Sequence, residues 1–214
     1  MHFEAAHVRG RIAKVILFAG AASFARAWED AGHRERMTSA DAILPEGPGI
    51  LAYAALAASP LRECTSAALT LHRLLASVDP ARPLRLFLVG NDRESLVRAG
   101  KAIEQRFTYV DVVGVADARP DACLSERIAE ECVDVVLVGI GDGRDELWIE
   151  ENVDLLDVGI VAGVGFALDA LAGDKPRAPR ATARLGVFHA IRFLVRATLY
   201  LALPWLRPCS ALNR

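Results

Sequence analysis

Cysteine is scarce in these 214 residues: Cys64, Cys123, Cys132 and Cys209 stand far apart, with no C-x-x-C pair and no histidine at ligand spacing. That leaves neither a zinc site nor a disulfide framework to organise a fold, and buried free thiols in a reducing compartment are the expectation. A surplus of one charge is missing as well. Lys+Arg number 25 against 27 Asp+Glu, a formal charge of −2, so the cationic excess of a general nucleic-acid binder is absent. No repeat or low-complexity tract occurs. No G-x-G-x-x-G opens the chain and no Walker A lysine is present, which sets aside dinucleotide dehydrogenases and P-loop ATPases. Apolar residues, by contrast, are plentiful. At 53% hydrophobic and 24% charged, the chain can bury a sizeable core, and its length suits one domain with an appendage.

Two stretches test for targeting or membrane segments. Ile12 to Ala25 has arginines before it and small residues at its end, like a signal peptide. Lys14 interrupts it, however, and Val15–Phe18 followed by Gly20 fits a buried strand leading into a helix at least as well. Leu185 to Leu203 is long enough to span a bilayer, but Arg192 and Arg196 sit at its middle, at a cost of about 5–7 kcal/mol on an insertion scale. His189, Arg192 and Arg196 fall on one helical stripe, which suits a helix lying in the lipid interface. A core helix whose arginines pair with acids fits the same residues.

Elsewhere short apolar runs alternate with amphipathic stretches. Strands are predicted at Val15–Phe18, Ala42–Leu44, Leu84–Val89, Val110–Val115, Val133–Val138 and Gly159–Ala162. Helices are predicted at Ser23–Glu35, Ile50–Ala58, Thr65–Ser77, Arg93–Gln105, Leu124–Cys132 and Arg144–Asn152. This order implies an α/β, Rossmann-like fold, a mainly parallel sheet with helices on both faces. The division expected is an α/β domain over residues 1–180 and a C-terminal amphipathic helical appendage over 181–214.

Ligands of such sheets sit beyond the carboxyl ends of the strands, and glycines follow the apolar runs there. They are Gly47 and Gly49, Gly90, Gly139 and Gly141, and Gly163 and Gly165. Glycine lets backbone approach a ligand and frees N–H groups for phosphate oxygens. Four such turns on one edge favour a shared, nucleotide-sized pocket. Glu46 within P-E-G-P-G reads as a turn or cap acid or as a catalytic acid, and Asp145 and Glu146 as substrate contacts or as first-turn acids suited to the helix dipole.

Ala40-Asp41-Ala42-Ile43-Leu44-Pro45-Glu46-Gly47-Pro48-Gly49-Ile50, then Val138-Gly139-Ile140-Gly141 with Glu146 and Trp148-Ile149, resemble successive motifs of the WecG/TagA/CpsF-type glycosyltransferases. So do Gly163-Val164-Gly165, Asp169, Ala172-Gly173 and Arg177-Ala178-Pro179, in the same order. The resemblance implies inverting transfer of a hexose or N-acetylhexosamine, N-acetylmannosamine in the best-known members, from a UDP-sugar to a polyprenyl-diphosphate-linked acceptor. It implies no metal or other cofactor, a role in cell-surface polysaccharide or teichoic acid synthesis, and a peripheral place at the cytoplasmic face of the membrane, reached through the C-terminal helix. It is compatible with a homo-oligomer. By position Glu46 stands where the family has its proposed base, Asp169 where an acid meets uridine, and Arg177, Arg192 and Arg196 where cations hold diphosphate. Trp148 reads as packing rather than sugar stacking. Phe18 and Gly20 replace the family's Thr and Asn, Gly143 its Pro, and Asp145 its Gln. Arg62–Ala67 lack its Gly and Asp, and Phe188-His189 stand for its Glu-Trp. These departures keep a second reading open, a catalytically degenerate relative that binds nucleotide-sugar or serves a glycan-assembly enzyme.

Overall fold

The computed structural model describes residues 13–56, 61–119, 123–141 and 143–171. Its frame is six parallel strands: β1 (Lys14–Ala19), β2 (Ala42–Pro45), β3 (Leu84–Gly90), β4 (Val110–Asp117), β5 (Val135–Gly139) and β6 (Ile160–Gly163), in the spatial order β2-β1-β6-β5-β3-β4. β6 lies between β1 and β5, with Val15 and Val136 both opposite Val161. Every predicted strand is present, with ends displaced by at most two residues.

Because side chains alternate along a strand, each run feeds two cores. Leu17, Phe87, Val89, Val136, Val138 and Val161 point to one face, where α1 (Ala21–Glu29), α2 (Ala31–Ser39), α6 (Leu124–Glu130) and α7 (Asp145–Asn152) pack. Leu86, Leu88, Leu137 and Ala162 point to the other, covered by α4 (Ala67–Ala76), α5 (Arg93–Arg106) and the short α8 (Ala167–Leu171). Between β2 and α4 runs α3 (Pro48–Leu56). Neighbouring strands thus send their connections to opposite faces: β1 to α1, β6 to α8, β5 to α7, β3 to α5. This splaying opens a crevice along the carboxyl edge of the sheet.

Three expectations need correction. The single helix predicted over Ser23–Glu35 is two, because Asp30 adopts an extended backbone and its carboxylate accepts the His33 N–H at 3.1 Å, capping α2. α8 was not expected. Nor are the described thiols buried: Cys64 is half-buried, while Cys123 precedes α6 and Cys132 occupies the turn after it, both exposed. Of the stretch weighed as a signal peptide, Lys14–Ala19 forms β1 and Ala21 opens α1. Among the described residues no helix is long and apolar enough to cross a membrane. Leu185–Leu203, Cys209 and the expected appendage lie outside those residues.

Candidate functional site

The carboxyl edge gathers the predicted turns. At the β5 and β3 ends a cavity of about 180 Å³ opens against α5 and α8, with Gly139, Ile140, Asn91, Asp92, Phe166 and Asp169 among its walls. Asn91 Nδ2 donates to the Ile140 carbonyl at 2.7 Å, binding the two strand tips together, and Arg144 borders the same space. Gly90 and Gly139 are required here by packing. A Cβ on Gly90 would lie 3.0 Å from the Leu96 side chain, and one on Gly139 would lie 2.6 Å from Leu168. Gly47 differs: its φ is +76° and nothing lies within 4 Å of where its Cβ would be, so the turn geometry alone demands glycine.

Glu46 sits on this edge at the tip of β2. β1 and β6 lie between β2 and β5, so the strand spacing puts it about 14 Å along the edge from the cavity. It is half-buried, not directed into bulk solvent. Its N–H donates to the Ala19 carbonyl, and it bridges in parallel to Thr65. Its carboxylate accepts the Ala67 N–H at 2.9 Å. Ser66, the residue placed to cap α4, makes no side-chain cap bond, so Glu46 performs that task from a distance. Gly49 is exposed in the first turn of α3.

Asp145 and Glu146 lie inside the protein. Asp145 Oδ1 accepts the N–H groups of Ile140 (2.9 Å) and Gly141 (2.8 Å), and Oδ2 that of Gly165 (2.6 Å), so one carboxylate ties the turns after β5 and β6. Burial pushes this carboxyl up to about 6, and the charge of Glu146 adds to that, although the three N–H groups pull the other way. Glu146 Oε1 accepts from the Ser23 hydroxyl at 3.0 Å, and Ser23 Oγ is 3.2 Å from His33 Nε2. His33 is fully buried and held below the ordinary imidazole range, first by burial and then by Arg26 and Arg36, against the pull of Glu146 and Asp30. Trp148 is core, as expected.

Of the predicted site residues, Gly90, Gly139 and Asp169 converge at the cavity, and Gly141, Gly163 and Gly165 adjoin it through the β5 and β6 turns. Glu46 and Gly47 stand farther along the same edge. Arg177, Arg192 and Arg196 lie outside the described residues. Sequence reasoning missed Asn91, Arg144, Phe166, Ser23 and His33. Asn91 follows Gly90 directly, and His33 shares the buried side of α2 with Met37 at i, i+4, which was the available signal. A larger hollow of about 580 Å³ opens between α2 and α7, floored by Ala13 and by Val15 and Leu17 of β1, with Arg36 and Glu146 on its wall.

With this edge in view, comparison with known proteins becomes informative. The sequence model of the glycosyl transferase WecG/TagA/CpsF family matches residues 2–198. The chain belongs to this family. As a member of the WecG/TagA/CpsF glycosyl transferases, it is similar to N-acetylglucosaminyldiphosphoundecaprenol N-acetyl-beta-D-mannosaminyltransferases from several bacteria. That of Bacillus spizizenii is 25% identical over 145 residues, 67% of this chain and 56% of the relative. That of Staphylococcus aureus strain NCTC 8325 is 29% identical over 114 residues, 52% and 44% of the two chains. That of Bacillus subtilis strain 168 is 22% identical over 169 residues, 78% and 66%. The family member described here thus spans about half the length of the first two.

Proposed function

We propose that this family member transfers a hexose or N-acetylhexosamine from a UDP-sugar to a polyprenyl-diphosphate-linked acceptor, with inversion, during cell-surface polysaccharide synthesis. The observation that carries the reading is the crevice on the carboxyl edge, where the family's glycine turns meet, with a carboxylate standing on the same edge. Glu46 removes the acceptor hydroxyl proton as the sugar–phosphate bond breaks on the opposite side of the anomeric carbon. N–H groups of the β5–α7 turn and the cations Arg177, Arg192 and Arg196 take up the charge on the departing UDP. Asp169, beside the cavity, accepts from the base or ribose. Residues 181–214 bring the protein to the cytoplasmic membrane face, where the lipid-linked acceptor resides.

The test joins binding to turnover. A panel of UDP-sugars is expected to raise the melting temperature for at least one donor, since a ligand of the native state stabilises it. The same donor should be consumed on a polyprenyl-diphosphate acceptor. Glu46→Gln keeps an oxygen for the Ala67 N–H but cannot take a proton. It should therefore keep donor binding and lose about 10²–10⁴-fold in transfer. Unchanged turnover removes Glu46 as the base.

The non-catalytic reading rests on a different observation. Glu46 is already engaged as a cap, and Asp145, where the family has Gln, is turned into the interior. Donor-induced stabilisation without turnover favours that reading, and no stabilisation by any UDP-sugar rejects both.

A further inference from the structure

Three helices meet in a buried polar knot beneath the β5–α7 turn: Ser23 from α1, His33 from α2 and Glu146 from α7. His33 is 0% exposed and Glu146 7%. With Glu146 as a carboxylate, the hydrogen bonds set one arrangement of protons. A carboxylate only accepts, so the single Ser23 hydroxyl proton goes to Glu146 Oε1. The Ser23 oxygen is then free to accept, and His33 Nε2 must carry the hydrogen that meets it at 3.2 Å. Nδ1 is left as a bare lone pair, buried and without a hydrogen-bond partner. A second proton on the ring would place an N–H there with nothing to receive it, which disfavours the imidazolium, in the same sense as burial. The charged groups facing it are Glu146 from α7, Arg26 from α1, and Arg36 and Asp30 from α2.

This knot touches the glycine turn from below. Gly143 has φ +69°, and a Cβ there would come within 3.3 Å of His33 Cε1 and 2.7 Å of Arg26 Nη1. The turn backbone therefore rests on the imidazole and the guanidinium. Two residues later α7 begins, and Asp145 draws in the N–H groups of Ile140 and Gly141. The turn is gripped by Asp145 from within and supported by His33 from beneath, while Glu146 anchors the first turn of α7 to α1 through Ser23.

We propose that Ser23, His33 and Glu146 form a positioning relay that holds Gly141 and Gly143 in the conformation that seats the leaving diphosphate. This rests on the transferase reading above, and none of the three touches substrate. In the full chain, Ser23→Ala breaks both bonds of the relay. It should lower kcat by about tenfold to a hundredfold with KM for the donor changed less than about threefold, the pattern of a misplaced transition-state contact. Ser23→Thr keeps the hydroxyl and should recover kcat to within about threefold. Amide exchange at Gly141, bonded to Asp145, and Arg144, bonded to the Gly141 carbonyl at 3.2 Å, should speed up by about tenfold or more in Ser23→Ala and return in Ser23→Thr when read by NMR. If Ser23→Ala fails to fold, His33→Leu and His33→Gln decide the matter. Leucine fills the volume without a donor and should show both losses, and the glutamine amide reaches the Nε2 position and should not. A lower melting temperature with kcat and exchange both unchanged makes the hydroxyl mere packing and overturns the relay. Should the wild-type protein turn over no UDP-sugar, the transferase reading fails, and exchange at Gly141 and Arg144 alone decides the relay.

Discussion

The two faces of the sheet are built from different chemistry. Beneath α4, α5 and α8 the contacts are mainly apolar: Leu86, Leu88, Leu137, Leu71, Leu75 and Leu168 meet with Phe107, and Ser95 of α5 is the one buried polar residue there among those described. Beneath α1, α2 and α7 the same sheet carries His33, Asp145 and Glu146, three of the four buried polar or charged residues among those described. These three lie toward the carboxyl edge, while Met37, Ile149 and Leu156 line the apolar remainder of that face. A largely apolar face stabilises mostly through area and tolerates small shifts. A face holding a buried carboxylate needs each N–H in place, because an unmatched buried polar group costs about 1–3 kcal/mol. Rigidity in the turns after β5 and β6 therefore comes from the polar face, and bulk stability from the other.

The contrast breaks or sharpens under substitution. Leu88→Ala on the apolar face should cost about 2–5 kcal/mol in urea unfolding, equally in acid and at neutrality. A pH-dependent loss would mean that a titrating group reaches that face. Asp145→Asn should cost about 1–3 kcal/mol near neutrality, because the new amide sets a donor against the Gly165 N–H. Its pH profile is more diagnostic. The Asp145 pKa is raised, so its contribution is complete below the ordinary value of 3.8 and is lost as pH rises through about 6. The stability advantage of wild type over Asp145→Asn should thus shrink from about pH 4 to about pH 7. A flat difference would show that ionisation of Asp145 is not penalised. His33, with its lowered pKa, works in the opposite sense: its contribution is present above 6.5 and lost as pH falls. Glu46→Ala uncaps α4 and should cost about 1 kcal/mol, which Glu46→Gln restores. Smallest of all, Glu94→Gln opens an exposed pair with Arg98 (3.3 Å) and should cost about 0.3–0.5 kcal/mol, vanishing at high salt.

The strands were legible because short, Val- and Leu-rich runs such as Leu86–Val89 are buried on both sides and end in glycine or polar residues. The glycine edge was legible for the same reason, since polar and glycine residues must follow where such a run meets solvent. The polar face was not. Gly32-His33-Arg34-Glu35-Arg36 looks like solvated helix, and only the three-dimensional approach of α1 and α7 shows that the histidine is enclosed. Asp145 and Glu146 fit a helix dipole so well that dipole complementarity hid their inward direction. Asp30 could have been read as a cap within Asp-Ala-Gly-His, but the helical pattern around it ran on without interruption. Glu46 was singled out as an acid, and its tie to Ala67 depends on a β2–α4 proximity that no local spacing encodes.

The position of β6 has a consequence for how the chain assembles during synthesis. β2 and β1 form one ribbon, β5, β3 and β4 form another, and β6, the last of the described strands in chain order, pairs with both. Until Ile160–Gly163 emerges, the nascent polypeptide holds two half-sheets with bare edges, a stage at which exposed apolar strands invite misassembly. Joining the two ribbons is thus deferred to the pairing of β6, which also draws Gly165 to the carboxylate that closes the turn.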